Sequence, residues 1–310
     1  MAKRWWALGV TAALIAAIWI PVGDALAPTV GGPGGDDTDQ AAPAASAAPP
    51  AQGWFPREAQ LAQRTLADPE ISELSGLAAS RLHPGVVFGI NDSGGSATVY
   101  AIDASGATVA RIALAGAKNR DWEAIAPAWD ADGTPTLWIG DIGDNRDNQE
   151  HVRLLKIREP QELRDQSVEY EAFWVAYPDG PHNAEALMVH PQNGTISIAT
   201  KSKSGNGMLY RLEGPLRSRG DNLMEPVMPV PSTITDGGWE LSAAGEPRLV
   251  LTDYLQLHRW TGTAWVSALG PLQVQREALA WPWLPNREPN NAVLLGSEGV
   301  GSTIVAADVP

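Results

Sequence analysis

The sequence predicts an all-β protein, a β-propeller of about five, and at most six, four-stranded blades. From residue 54 onward, short runs of β-branched residues, leucine and aromatic residues are separated by Gly, Pro, Asn and Asp, which is the pattern of strands joined by turns. The 31 glycines and 25 prolines among 310 residues favour turns over long helices. A unit of several such strands also recurs along the chain, as it does in propellers.

The recurring unit opens with a strand of small residues that carries a polar residue at its start. Five such openers lie 41 to 62 residues apart, at Ser75, Glu123, Glu185, Asp236 and Glu277. Repeats of about 40–50 residues with several short strands each are typical of propeller blades. Alanine and glycine are expected in the innermost strands, because these strands crowd around the central axis. A β-sandwich with accidental spacing is the competing interpretation, and the shared opener pattern counts against it.

Residues 54–310 are predicted to form one propeller domain that closes on itself. The segment 60–66 precedes the first opener and is expected to supply the outer strand of the last blade, since a closed ring leaves no free sheet edge. A sixth, degenerate blade at residues 213–231 remains an alternative to a ring of five.

Several segments of the repeat resemble a known group of proteins. These segments are SGLAAS at 75–80, NDSGG at 91–95, RDWEAI at 120–125, GDIGDN at 140–145 and AEAL at 184–187. Over residues 65–305 the chain resembles exported bacterial β-propeller proteins, most of them uncharacterised. These are in turn distantly similar to the calcium-dependent β-propeller phytases and to phytase-like propellers labelled esterase-like. The resemblance implies a propeller fold, Ca²⁺ as a cofactor and a phosphoester as a substrate.

The first 27 residues are predicted to direct the chain out of the cytoplasm. Lys3 and Arg4 precede residues 5–22, which carry no charge, and the small-x-small segment 25–27 has the form that signal peptidase recognises. Residues 1–27 are therefore either a cleaved signal peptide or an N-terminal membrane anchor. Both alternatives predict a protein that is secreted or held at the outer face of the cytoplasmic membrane.

Composition defines a linker and excludes some partners. Residues 28–53 consist mainly of Ala, Gly and Pro, and such a segment is expected to be a disordered tether. The formal net charge of −14 argues against nucleic acid, which needs a clustered basic surface. Since the chain has no Cys, disulfides, thiolate metal sites and a cysteine nucleophile are excluded.

The carboxylates of the openers predict a metal site. Equivalent residues of successive blades lie at one height around the axis, so the predicted metal ligands are Glu123, Glu185, Asp236 and Glu277. Carboxylates held together repel one another unless a cation lies among them. Oxygen ligands without Cys or paired His suit Ca²⁺ or Mg²⁺, and Ca²⁺ is the predicted cofactor. The alternative is that each carboxylate caps a separate turn.

Polar loops that follow the strong apolar strands predict a ligand-binding top face. The expected ligand-binding residues are Asn91, Asp92, Asp121, Asp141, Asp144 and Asn145. Three further residues lie close to the openers in sequence and are the candidates for catalysis: His182, Lys201 and Arg276. A histidine there could act as a general acid, and the two cations could hold a phosphate or carboxylate group.

Two functions from different classes fit these predictions. The first is a binding module that presents an acidic top face to a small-molecule or protein ligand, with the membrane as a partner through the N-terminal segment. The second is a Ca²⁺-dependent phosphoesterase of the phytase-like kind, in which a metal-bound water attacks the ester. The sequence contains neither a Gly-x-Ser-x-Gly nucleophile motif nor a phosphate-binding Gly-x-x-x-x-Gly-Lys loop. It does not decide between the two functions, because propellers support both.

Overall fold

Five sheets make up the described part of the chain, and each contains one of the predicted opener strands. The computed structural model describes residues 64–241, 245–281 and 292–310, and every regular element there is a strand. No helix in these residues is long and apolar enough to cross a membrane. The predicted signal or anchor segment, residues 1–27, and the predicted linker, residues 28–53, lie outside the described residues.

Each sheet is a blade, and within each blade the strands are mainly antiparallel and in chain order. The first blade contains β2 (Leu74–Ala79), β3 (Val87–Asn91), β4 (Thr98–Ile102) and β5 (Thr108–Leu114). The second contains β6 (Trp122–Trp129), β7 (Pro135–Asp141), β8 (Val152–Arg158) and β10 (Glu171–Ala176). The third contains β11 (Ala184–Val189), β12 (Ile196–Thr200), β13 (Gly207–Leu212) and β15 (Glu225–Val230). The fourth contains β16 (Asp236–Leu241), β17 (Pro247–Thr252), β18 (Gln256–Trp260) and β19 (Trp265–Leu269). The fifth contains β20 (Arg276–Ala280), β21 (Ala292–Ser297), β22 (Thr303–Asp308) and β1 (Arg64–Thr65).

The ring closes through the first described residues, 64 and 65, which belong to the segment predicted to close it; residues 60–63 lie outside the described residues. Strand β1 pairs antiparallel with β22, with Arg64 opposite Ile304, and so becomes the outer strand of the fifth blade. Residues 213–231 do not form the alternative sixth blade, because they contribute strands to the second and third blades. The described fold is therefore a five-bladed β-propeller.

Two short strands add a fifth member to the first two blades. Strand β9 (Gln166–Val168) lies between β8 and β10 in sequence but pairs parallel with β5 of the preceding blade. Strand β14 (Asp221–Leu223) lies between β13 and β15 and pairs parallel with β10 of the preceding blade. In both cases a loop of one blade reaches back and extends its predecessor, so the first three blades are joined by backbone hydrogen bonds.

The five opener strands line the centre of the ring. Strands β2, β6, β11, β16 and β20 each form one edge of their sheet, and each contacts the opener strands of both neighbouring blades. The approach is close enough to require small residues, as predicted. A Cβ atom at Gly76 would lie 2.8 Å from the backbone nitrogen of Ile125 in the next blade. Side chains larger than hydrogen are excluded there unless the strands move apart.

The hydrophobic core lies between blades. Five clusters of buried apolar side chains occur among the described residues, one at each interface between neighbouring blades. Trp122 is fully buried between the first and second blades, and Trp138 lies between the second and third. Burial of such large apolar surfaces stabilises the ring by roughly 25 cal/mol for each Å² removed from water.

Candidate functional site: an acidic mouth at the top face

A β-bulge recurs at the start of four of the five innermost strands. In β6, the residues on either side of Glu123 pair with the adjacent residues Gly140 and Asp141 of β7, so Glu123 is an extra residue. The same irregularity occurs in three other innermost strands, where the bulged residues are Ser75, Glu185 and Glu277. A bulge releases a side chain from the ladder and re-aims it. The four bulged residues lie at one end of the ring, which we call the top face.

Eight side chains form what we call the mouth of the propeller at this face. They are Ser75, Asp92, Asp121, Glu123, Glu185, Lys201, Glu277 and Glu298. Three of the four predicted metal ligands, Glu123, Glu185 and Glu277, lie in the mouth, and Ser75 takes the carboxylate's place in the first blade. Its hydroxyl donates a hydrogen bond of 3.0 Å to Glu123 Oε2, which links the first two blades across the mouth.

Three carboxylates on one side of the mouth converge on a common point. One oxygen from each of Asp92, Asp121 and Glu123 lies within 4.8 Å of the other two, and we call this group the acidic trio. The backbone at Gly143 packs against it, where a Cβ atom would lie 2.5 Å from Asp121 Oδ2. Only glycine allows the loop after β7 to approach the trio so closely. The spacing is that of oxygen atoms around a single cation.

Crowding and burial raise the pKa values of the acidic trio. Burial, followed by the charges of Glu185, Asp92 and Asp121, raises the pKa of Glu123 well above its ordinary value. Burial and the charge of Asp92 raise the pKa of Asp121 to about 6. Burial also raises the pKa of Asp92. Within the described residues no lysine or arginine forms an ion pair with the trio, so its negative charge is not locally neutralised.

The opposite side of the mouth already contains a cation. Lys201 Nζ donates to Glu185 Oε2 at 2.5 Å and lies 4.0 Å from Glu277 Oε1, and we call these three residues the lysine cluster. Its ammonium group also lies 5.0 Å from the centre of the Tyr254 ring. Burial lowers the pKa of Lys201, but the Glu185 carboxylate more than compensates and holds it above the ordinary value. Lys201 is therefore charged, and it pairs with Glu185 and lies close to Glu277, whereas no described lysine or arginine pairs with the trio.

A further carboxyl group beside the lysine cluster, that of Glu298, is protonated. Burial and the hydrogen bond to Glu277 raise the pKa of Glu298 to about 9. Gln275 Nε2 donates to Glu298 Oε2 at 2.7 Å and fixes the orientation of the group. At neutral pH Glu298 therefore carries a proton, with which it can hydrogen-bond to Glu277.

The expected equivalence of the openers does not extend to Asp236. Strand β16 pairs with β17 without a bulge, so Asp236 remains in register opposite Thr252. Its carboxylate is buried and accepts the backbone N–H of Gly237 at 2.7 Å and that of Leu279 at 2.6 Å. Burial raises its pKa well above the ordinary value. This predicted metal ligand ties the fourth blade to the fifth, and both of its oxygens already accept backbone amides.

Asp141 supports the acidic trio from behind. It is fully buried, and its carboxylate accepts two hydrogen bonds from Arg153 at 2.6 and 3.0 Å. The other oxygen, Oδ1, accepts the backbone N–H of Asp121 at 2.9 Å, while Arg120 Nε lies 3.7 Å from Oδ2, the oxygen that Arg153 contacts. Asp141 was predicted to bind a ligand, and the structure gives it a complete set of protein partners. Its contacts position Asp121.

The other predicted ligand-binding residues have different surroundings. Asp144 Oδ2 accepts the backbone N–H groups of Asn148 and Gln149, each at 2.7 Å, so it shapes its own loop. Asn91 Nδ2 donates to the backbone oxygen of Glu70 at 2.6 Å. Asn145 is exposed at the surface. Of the six residues predicted to bind a ligand, Asp92 and Asp121 are the two that belong to the mouth.

Of the three candidate catalytic residues, Lys201 alone lies in the mouth. His182 Nε2 lies 3.0 Å from both Asp179 Oδ1 and the Tyr210 hydroxyl, neither of which belongs to the mouth. Arg276 is buried, and its guanidinium donates to the backbone oxygen of Pro271 at 2.5 Å. The two residues are close to openers in sequence, but their side chains are engaged elsewhere in the third and fifth blades.

Two side chains at this site were missed from the sequence, Glu298 and Tyr254. A positional signal existed for the first of them. Asp92, Lys201 and Glu298 each come directly after the last residue of the second strand of a blade, namely β3, β12 and β21. Alignment of blades by their second strands would have placed Glu298 in the mouth. The position of Tyr254 beside Lys201 depends on the packing of one blade against another, which no local pattern records.

Comparisons with known proteins give a likeness of fold. No family model matches the chain, and no curated protein matches it. Among solved structures, an apo-form soluble aldose sugar dehydrogenase from Escherichia coli is 8% identical, with a TM-score of 0.43, over 80% of this chain and 99% of that one. A PQQ-bound aldose sugar dehydrogenase from Streptomyces coelicolor is 11% identical, with a TM-score of 0.41, over 80% and 98% of the two chains. A gluconolactonase from Xanthomonas campestris is 11% identical, with a TM-score of 0.40, over 82% and 94%.

The similarity to these structures stops at the fold, given identities of 8–11%. The more specific resemblance to exported bacterial propellers and to phytase-like propellers stays a prediction.

Proposed function

We propose that the protein is an exported, membrane-tethered propeller whose mouth binds Ca²⁺ and, through it, an anionic group of a small-molecule or protein ligand. The observation that carries the proposal is the acidic trio, whose oxygens lie within 4.8 Å of one another without a cationic partner among the described residues. Carboxylates in this state gain most from a cation, because it offsets both their burial and their mutual repulsion. Their hard oxygen atoms favour Ca²⁺ or Mg²⁺ over softer metals.

The lysine cluster supports an anionic ligand. The charge of Lys201 is felt at Asp92, whose pKa it lowers against the larger effect of burial. A cation held by the trio and the ammonium group of Lys201 would thus flank one opening with two positive charges. A carboxylate or phosphate group fits between such charges, since charge-assisted hydrogen bonds to anions are the stronger ones.

Titration calorimetry with Ca²⁺ tests the metal site. The metal-stripped protein is expected to bind one Ca²⁺, and Glu123→Gln is expected to abolish the heat of binding because it removes the buried ligand of the trio. Glu162→Gln is the matched control, since Glu162 is an exposed carboxylate that pairs with Arg164 at the surface. Equal binding by the wild type and Glu123→Gln would refute the site.

A Ca²⁺-dependent phosphoesterase is the second candidate function, and Lys201 opposite the trio is the observation that favours it. A cation can lower the pKa of its bound water and polarise a phosphoryl oxygen, while a lysine stabilises the charge that develops. The discriminating assay is hydrolysis of a generic phosphomonoester with Ca²⁺ and with a chelator. Turnover that the chelator removes selects the esterase. Absence of turnover in a protein that binds Ca²⁺ selects the binding module.

Export and tethering rest on residues 1–27 and on the linker at residues 28–53. Cell fractionation of the full chain tests them. A membrane-bound product is expected for an anchor, and a shortened product outside the cytoplasm for a cleaved signal peptide. A full-length product in the cytoplasm would contradict both alternatives.

A further inference from the structure

Every blade ends in an outer strand with one open edge, and the described residues cover or block four of these five edges. Strands β9 and β14 pair with β5 and β10. Strand β15 contains Pro226 and Pro229, which lack an N–H group, and the Pro229 oxygen accepts the indole N–H of Trp265 at 3.2 Å. The turn between β4 and β5 packs against the end of β1, where the Ala67 N–H donates to the Gly106 oxygen at 3.0 Å. The fifth edge, that of β19, has no such cover among the described residues.

The backbone of β19 presents hydrogen-bonding groups at its open edge. The Gly270 N–H donates to the Leu255 oxygen at 2.8 Å, and the antiparallel register of β18 and β19 sets the alternation of bonds from that point. Ala268 therefore bonds to β18, whereas the N–H and C=O groups of Ser267 and Leu269 point outward. These outward groups have no backbone partner among the described residues.

The sequence of β19 does nothing to protect this edge. The strand contains neither proline nor a charged residue, which are the usual means of preventing an edge from pairing. Val266 and Leu269 are 40% and 62% exposed. An uncharged, partly apolar edge of this kind is a template for one more strand.

The two strands that cover other edges share a position in their blades. Strand β9 is separated from β10 by two residues and β14 from β15 by one, so each comes just before the outer strand of its own blade. Each pairs parallel with the outer strand of the preceding blade. Each also pairs with the last three residues of that strand, 112–114 in β5 and 174–176 in β10.

The same arrangement would assign the edge of β19 to the segment just before β1, because β1 is the outer strand of the fifth blade and β19 that of the fourth. The fourth blade shows the contrasting case. Four residues connect β18 to β19, which is too short a turn to reach back to β15, and β15 is the strand that carries prolines. Strands β22 and β1 are not joined by a turn, since they lie at opposite ends of the described chain, so no turn restricts the segment before β1.

We propose that residues 54–61 dock on the fourth blade as a strand parallel to β19, opposite residues 267–269. The segment lies outside the described residues. Its sequence, WFPREAQL, brings apolar side chains that can cover Val266 and Leu269, and its single proline lies near its start. Docking would also fix the point at which the predicted tether, residues 28–53, leaves the propeller.

Hydrogen exchange of individual backbone amides in the full chain tests the docking. The Leu269 N–H points to the edge, so it exchanges at the rate of an exposed amide unless a further strand covers it. Docking is expected to slow this exchange about tenfold or more. The Ala268 N–H bonds to β18 in either case, and its protection reports that the fourth blade is folded.

Two replacement variants identify the segment that covers the edge. Replacement of residues 54–61 by a Gly/Ser stretch of equal length removes the apolar side chains and the strand propensity, and it should restore fast exchange at Leu269 while Ala268 stays protected. The matched control is the same replacement at residues 42–49 of the predicted linker, which should change neither amide.

Fast exchange at Leu269 in the wild type would overturn the proposal, because the edge would then be open. Protection that survives the replacement of residues 54–61 would overturn it as well. If that protection also increases with protein concentration, the edge belongs to a second copy of the chain.

Discussion

The acidic trio and the lysine cluster hold carboxylates in equivalent positions but with different charged neighbours. Burial raises the pKa of Glu185, to about 7, as it raises that of Glu123. Glu123 and Glu185 are both bulged residues of innermost strands, and both are buried. Glu185 has the ammonium group of Lys201 at 2.5 Å, whereas Glu123 has two further carboxylates. The repeat determines where these carboxylates lie, and non-equivalent neighbours determine their surroundings: Lys201 beside Glu185, Asp92 and Asp121 beside Glu123. One half of the mouth thus contains a cation of its own, and the other contains none among the described residues.

Removal of Lys201 should have the largest effect on this contrast. Lys201→Met leaves Glu185 and Glu277 buried without their cation, and loss of one partner of a buried pair costs about 3–5 kcal/mol. We expect a decrease of that size in the free energy of unfolding, measured with denaturant at neutral pH. Arg164→Met provides the control, because its exposed pair with Glu162 is worth less than about 1 kcal/mol.

The double variant Lys201→Met/Glu185→Gln sharpens the same prediction. It should recover most of the lost stability, since the uncompensated charge is then absent. If the double variant is no more stable than Lys201→Met, the stability is lost through packing. That result would contradict an electrostatic role of Lys201 in its half of the mouth.

Binding of Ca²⁺ should distinguish the acidic trio from the lysine cluster, with an effect on stability smaller than that of removing Lys201. A saturating cation stabilises the folded state by about 2.7 kcal/mol at a hundredfold excess over its dissociation constant. We expect Ca²⁺ to raise the melting temperature of the wild type and of Glu277→Gln, and to leave that of Asp121→Asn unchanged. Differential scanning calorimetry of metal-stripped protein against matched NaCl measures this. A response lost in Glu277→Gln instead would place the cation on the lysine side.

The pH dependence of Glu298 provides the last test, and solvent screening of this partly exposed carboxylate reduces its size. Its pKa is about 9 in the folded protein and about 4.3 in an unfolded chain, so the folded state binds this proton more tightly. The stability it contributes is complete below the unfolded value and is lost as the pH rises towards the folded one. Metal-free protein should therefore become less stable over this range, and Glu298→Gln should show a shallower decline in denaturant titrations. Glu162→Gln should keep the full slope.

The fold could be predicted because propeller geometry constrains residue size. Innermost strands that approach as closely as Gly76 and Ile125 admit only small residues, and this requirement repeats in the sequence. Closure by the segment before Ser75 followed from the need to cover a sheet edge. Strands β9 and β14 were not predicted, since three-residue edge strands leave no periodic pattern.

The candidate site could be predicted only in outline. The openers indicated where the carboxylates cluster. The β-bulges that turn these side chains towards the mouth depend on how two strands pair, which the amino-acid composition of one strand does not show. Arg276 looked like a companion of Glu277, yet its side chain turns to the backbone oxygen of Pro271. Lys201, a candidate for catalysis, lies in the mouth, while its contact with Tyr254 crosses from one blade to the next. Contacts between blades are non-local, and single-sequence patterns do not record them.

The backward-reaching strands also decide where the ring can be cut. A break in the chain between β5 and β6, or between β10 and β11, would leave both fragments held by the parallel ladders of β9 and β14. A break between β15 and β16 crosses an interface without such a ladder among the described strands, where side-chain packing does most of the joining. Limited proteolysis at the first two connections should therefore give a nicked but assembled protein, and these connections are the natural points for dividing the propeller into two complementing halves.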